Sequence, residues 1–186
     1  MDFTIMMIGS AGMASALDIL DSKEDELKQR YPLSYLQKAK VRLTEERDRI
    51  EAFSESLGDS WGGTNEDRTW LCPIRSEGVF GALWIMGDIL MRGLRVNQDD
   101  IPIDQAVIEL CDYVDINPYE ADGTGSYLIA TLSPGRVLDV LEQNGIVAKV
   151  IGYCNSGNAR IIKGATERYL NKPAGYKYIP DTLDEC

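Results

Sequence analysis

Short unbroken apolar runs alternate along the chain with segments whose apolar residues recur every three or four positions, the patterns of buried strands and one-sided helices. Phe3 to Ile8 is such a run, stopped by Gly9, and predicts a buried strand. From Ala11 to Arg30 the spacing is helical, first apolar through Met13, Leu17 and Leu20 and then charged, until Pro32 ends it. Ser34-Tyr35-Leu36-Gln37 has the form of a capping box, which predicts a long helix to about Leu57 with Leu36, Ala39, Leu43, Ile50, Phe53 and Leu57 inward and mixed charges on a solvated face. Gly58 to Arg68 reads as a polar loop, and Thr69 to Cys72 as a strand.

Val79 to Met91 predicts a core helix, with Val79, Leu83, Met86 and Leu90 on one stripe, followed by a strand over Leu94 to Val96. Asp104 to Val114 is a further helix with Val107, Leu110, Cys111 and Val114 inward. Tyr127 to Leu132 predicts a strand. Ser133-Pro134 and Gly145 bracket a helix as cap, first-turn proline and terminating glycine. Ile146 to Tyr153 is a strand, the turn Asn155 to Asn158 is expected to bring Ala159 to Ile162 back against it as a hairpin arm, and Glu167 to Leu170 is a last short strand. Strands alternating with helices predict an α/β (α+β) fold with a mixed sheet covered by helices, as a single domain over residues 1–186 whose stretch 171–186 is an extended acidic tail.

Composition fits an ordinary globular domain of 186 residues, 44% hydrophobic and 26% charged. Its charge narrows the partners: 19 Lys and Arg against 30 Asp and Glu give −11, a field that repels a phosphate backbone, so no nucleic acid partner is expected. The absence of histidine removes Ser-His-Asp triads, Cys-His dyads and HExxH zinc sites. Cys72, Cys111, Cys154 and Cys186 are widely spaced, form no CxxC pair, and read as thiols in a reducing compartment. No basic signal segment and no uncharged apolar stretch of about 18 residues occurs, so a cytoplasmic protein without a membrane partner is expected.

The chemistry-bearing motifs are few. There is no GxxxxGK[ST] loop, and Gly123-Thr124-Gly125 precedes a strand instead of opening a helix. Between Asn97 and Asp122 stand eight acids and no Lys or Arg, read either as a magnesium site or a face for a basic partner, or as a solvated helix rim, the rim being preferred. Pro73 to Gly78 runs from a strand into a helix, where free N–H groups and the positive dipole end favour an anion. Arg75, Ser76, Glu77 and Gly78 are therefore the anion- or phosphate-binding candidates; Arg75 adds a forked contact and Glu77 opposes it. The plainer alternative is a helix entry capped by Ser76.

Residues 72 to 131 carry a resemblance. Ser76-Glu77-Gly78-Val79-Phe80-Gly81-Ala82-Leu83-Trp84, Ile101-Pro102-Ile103, Asp115-Ile116-Asn117-Pro118-Tyr119 and Gly125-Ser126-Tyr127-Leu128-Ile129-Ala130-Thr131 stand in an order and spacing that resembles the C-terminal domain of AIR synthase-related proteins. That superfamily includes aminoimidazole ribonucleotide synthetase, the hydrogenase maturation factor and selenophosphate synthetase. The resemblance implies a layered α/β/α domain with partial ferredoxin-like topology, one half of a two-domain ATP-dependent enzyme whose N-terminal domain dimerises and holds most ATP and magnesium ligands. It also implies a strand-to-helix loop of His/Asp-x-Thr-x-Gly-Gly type facing phosphate or substrate.

Here that loop departs from the pattern. The acidic position falls on Pro73, the threonine on Arg75 and the first glycine on Glu77. The sequence also starts close to the first strand of the C-terminal domain, so the expectation is a free-standing domain without its ATP-binding half. No cofactor is then expected on this chain alone, ATP and magnesium entering only if a partner supplies the N-terminal domain. Cys186 resembles the terminal cysteine of the hydrogenase maturation factor, which makes it the one reactive-thiol candidate. The acids Asp184 and Glu185 beside it raise a thiol pKa and blunt its nucleophilicity, which favours coincidence.

The expected function is a non-catalytic binding or regulatory module, the alternative one half of a split ATP-dependent synthetase completed by a separate ATP-binding-domain protein. The expected partners are that protein or a second copy of this chain.

Overall fold

A computed structural model describes residues 2–57, 69–174 and 176. Its strands and helices are β1 (Thr4–Ile8), α1 (Met13–Ser22), α2 (Glu24–Leu27), α3 (Leu33–Leu57), β2 (Thr69–Pro73), α4 (Gly78–Ile89), β3 (Gly93–Asn97), α5 (Gln105–Tyr113), β4 (Tyr127–Thr131), α6 (Pro134–Gln143), β5 (Ala148–Asn155), β6 (Arg160–Lys163) and β7 (Glu167–Tyr169). The strands form one seven-stranded mixed sheet in the order β2-β4-β1-β5-β3-β6-β7. The mixed α/β class expected from the alternating pattern is what forms.

The interior strand β1 shows why both sheet faces are covered. Its residues alternate, Ile5 and Met7 facing one way and Met6 and Ile8 the other, and all four are fully buried. Ile5 and Met7 join Val79, Leu83 and Met86 of α4 and Leu94, Val96 and Ile162 of the sheet. Met6 and Ile8 join Ile50 and Phe53 of α3 and Val137 and Leu141 of α6. A third cluster contains no strand residue. There Met13, Leu17 and Leu20 of α1, Leu27 of α2, Leu36 and Leu43 of α3 and Leu110 of α5 pack helix on helix.

Two local readings change. The helix expected over residues 11–30 is broken at Lys23, whose φ of −119° lies outside the helical well, giving α1 and α2. The capping box at Ser34 does not set the start of α3: the helix begins at Leu33, and the N–H groups of Tyr35 and Leu36 donate to the Pro32 carbonyl at 3.0 and 3.2 Å.

The hairpin arm is overturned. The segment around residues 159–162 does not return onto β5; β6 pairs in parallel with β3, Leu94 opposite Arg160 and Val96 opposite Ile162. The reason is edge occupancy. β5 already has β1 on one side and β3 on the other, both antiparallel, so no edge is free for its own continuation. The turn crosses over the start of β3, where Gly93 N–H donates to the Gly157 carbonyl and Leu94 N–H to that of Ala159. A Cβ at residue 93 would lie 2.7 Å from both carbonyl oxygens, so the crossing requires glycine there. β7 then adds antiparallel to β6. This crossing carries the last strands to the edge beside α4, and the segment Asn171 to Ala174, without helix or strand, runs on along it.

Candidate functional site

The entry to α4 is fixed by backbone hydrogen bonds. Leaving β2, Ile74 N–H donates to the Ser126 carbonyl at 2.9 Å, and the Arg75 carbonyl accepts from Gly78 N–H at 3.0 Å and Gly123 N–H at 3.2 Å. Gly78 stands at φ +68°, where a Cβ would lie 2.6 Å from the Tyr119 carbonyl oxygen and 2.7 Å from the Glu120 backbone. That approach lets Phe80 N–H donate to the Tyr119 carbonyl at 3.2 Å, while Gly81 N–H begins the helical ladder to Glu77. Two N–H groups of the α4 entry, those of Gly78 and Phe80, are thus spent on the chain's own carbonyls.

The four candidates at this turn are brought together but do different things. Glu77, with φ −78° and ψ −3°, occupies the cap position expected for Ser76, and its side chain caps no N–H. Arg75 and Ser76 are exposed and Gly78 is buried. Ser76 and Glu77, but neither Arg75 nor Gly78, line a groove of about 590 Å³ along α4, within the size range of small-molecule sites. Its other charged walls are Glu120 from the loop above Gly78, Arg168 from β7 and Lys172 from the segment beyond it. Phe80 is buried: it stacks on Tyr119 with ring centres 5.2 Å apart, and the Arg168 guanidinium lies 4.9 Å from its ring centre. Glu77 folds back over Gly81, where a Cβ would sit 2.3 Å from Glu77 Cγ and 3.3 Å from Pro173. Among the described residues neither Glu77 nor Glu120 lies within ion-pairing distance of Arg168 or Lys172. Arg168 and Lys172 escape a linear reading because nothing local announces that β6 crosses β3 to bring them to α4.

Of the eight acids between Asn97 and Asp122, Asp100, Asp104, Glu109 and Asp122 are engaged by neighbouring side chains or backbone. Asp104 caps α5 by accepting from Ala106 N–H at 2.8 Å and takes both forks of Arg42 at 2.8 and 2.7 Å. Glu109 accepts from the Tyr35 hydroxyl at 2.6 Å, a bond that holds its carboxyl below the usual carboxylate range. Asp122 receives the Thr124 hydroxyl, and Asp100 receives Asn97 and Lys149. Among the described residues no three His, Cys, Asp or Glu side chains are grouped to hold a metal ion. Cys72, Cys111 and Cys154 are buried, and burial pushes the Cys111 and Cys154 thiols up to about 11, far from a thiolate at neutral pH. Cys186 lies outside the described residues. No described helix is long and apolar enough to cross a membrane.

No family model and no curated protein matches the sequence. Solved structures do. The hydrogenase maturation protein HypE in complex with ATP superposes with a TM-score of 0.59 at 16% identity over 98% of this chain and 52% of its own. A HypE-HypF complex gives 0.57 at 17% identity over 92% and 53%, and thiamine-monophosphate kinase from Stenotrophomonas maltophilia K279a gives 0.50 at 15% identity over 92% and 51%. The fold is therefore that of an AIR synthase-like domain, and the chain spans about half the length of the solved chains it matches.

Proposed function

We propose that this AIR synthase-like domain is a non-catalytic binding module that takes a small ligand in the groove along α4. The observation that carries the reading is the state of the α4 entry. A terminal phosphate needs free N–H groups at close approach, and here those of Gly78 and Phe80 already donate to Arg75 and Tyr119 while Glu77 lines the adjoining groove. Both features weigh against a terminal phosphate at this turn. The three described cysteines are buried and the chain has no histidine, so the described residues offer neither an exposed thiol nor an imidazole base. ATP hydrolysis by the purified full chain with magnesium tests this: release of phosphate no faster than in a protein-free control is expected, and turnover above it overturns the reading.

A second reading, half of an ATP-dependent synthetase completed by an ATP-binding subunit, is favoured by one feature of the sheet. Thr4, Tyr153, Arg95, Ile161 and Tyr169 are register partners across β1, β5, β3, β6 and β7 and form one row on the face away from α4. Tyr153 is 46% and Tyr169 74% exposed, and tyrosine and arginine are the residues protein interfaces favour. HypE, whose fold this chain shares over about half that protein's length, binds ATP. Capture of an ATP-binding protein by the tagged chain from its source cells, lost on Tyr153→Glu and Tyr169→Glu, supports this alternative; unchanged capture by both variants removes it.

A further inference from the structure

The groove along α4 holds charges of both signs that do not neutralise one another. Glu77 comes from the helix entry and Glu120 from the loop above it; Arg168 comes from β7 and Lys172 from the segment that follows. Opposite charges sharing a concavity ordinarily pair, as Arg160 and Asp88 do one helix turn and more along α4. Here no such pair forms among the described residues, and the two cations have contacts elsewhere. The Glu77 side chain lies back across Gly81, where an added side chain would displace it. The Arg168 guanidinium is held over the Phe80 ring and donates from Nη2 to Gln98 at 3.5 Å, and Lys172 Nζ sits 5.7 Å from the Tyr176 ring centre. Two carboxylates and two cations therefore face about 590 Å³ of shared space with their charge unspent on each other.

We infer that the groove takes a zwitterion: a small molecule with an ammonium or amidinium group at one end and a carboxylate or phosphate at the other. The cationic end is met by Glu77 and Glu120, the anionic end by the Arg168 fork and the Lys172 ammonium. A ligand with both charges satisfies both walls at once, whereas a simple anion meets two repelling carboxylates and a simple amine two repelling cations. The inference rests on the binding-module reading and gives it a ligand class. It also assigns a use to Glu77, the residue that stands against a bare phosphate.

Titration calorimetry on the full chain at low ionic strength tests it with γ-aminobutyrate and O-phosphoethanolamine as zwitterions, inorganic phosphate as the anion and butylammonium as the cation. Saturable binding of at least one zwitterion is expected. Glu77→Gln and Arg168→Gln are each expected to weaken it about tenfold, the worth of one charge-assisted contact, with thermal melts unchanged. Glu77 and Arg168 make no ion pair with each other, and the thermal melts check that each variant keeps the fold. If inorganic phosphate binds as tightly as the zwitterions, or binds more tightly to the Glu77→Gln chain than any zwitterion does, the ligand class is wrong although a binding module remains. If no member of the panel binds, the zwitterion inference fails, while the non-catalytic reading is judged separately by ATP hydrolysis.

Discussion

Replacing Gly78 with alanine strikes the point on which the α4 entry depends. The residue sits at φ +68°, where an L side chain costs about 1–2 kcal/mol. The new Cβ would also stand 2.6 Å from the Tyr119 carbonyl oxygen and 2.7 Å from Glu120 Cα, which are backbone atoms and cannot swing aside. Moving that loop away lengthens the 3.2 Å bond from Phe80 N–H to Tyr119, worth about 1 kcal/mol. Together these give an expected loss of about 2–3 kcal/mol. Urea denaturation with an unchanged slope measures it as a shift of the midpoint. Gly135→Ala is the matched control: that glycine is in α6, has no positive φ, and its added Cβ meets nothing within 4 Å. There alanine is expected to stabilise by up to about 1 kcal/mol through helix propensity. A Gly78→Ala chain within about 0.5 kcal/mol of the parent, the range of a neutral surface change, would show that the close approach over α4 is not what fixes the site.

Three further outcomes are expected. Asp104→Ala removes the α5 cap and strands the Arg42 fork, and is expected to cost about 1–2 kcal/mol by the same denaturation assay. Arg160→Leu leaves the Asp88 carboxylate unpaired beside Trp84 and is expected to cost about 2–4 kcal/mol, with a change in tryptophan emission as the cation leaves the indole face. Burial raises the Cys154 and Cys111 thiols from 9.0 to about 11. The unfolded chain therefore ionises them first, and their contribution to stability, complete below pH 9, is lost as pH rises towards 11. Cys154→Ala is expected to flatten that part of the stability–pH curve, and an unaltered slope would contradict the burial argument.

How much of this was legible in the chain follows from the range of each signal. Helices α4, α5 and α6 and strands β1 and β4 are written in local periodicity, because a side chain's face depends on the residues two to four positions away. Gly145, at φ +68°, ends α6 where a terminating glycine was expected. The turn from Pro73 to Gly78 was equally visible, since a strand running into a helix leaves donors whatever surrounds it. What those donors do was not visible. The Tyr119 carbonyl that takes the Phe80 N–H arrives from a loop after α5, and only the packed chain brings it over Gly78. The partner of β6 was misread for a related reason. A hairpin is the nearest pairing in sequence, but β5 had already given one edge to β1 and the other to β3. Which edge remains free is a property of the whole sheet, and it placed Arg168 and Lys172 opposite Glu77 and Glu120, a pairing of walls that no local pattern encodes.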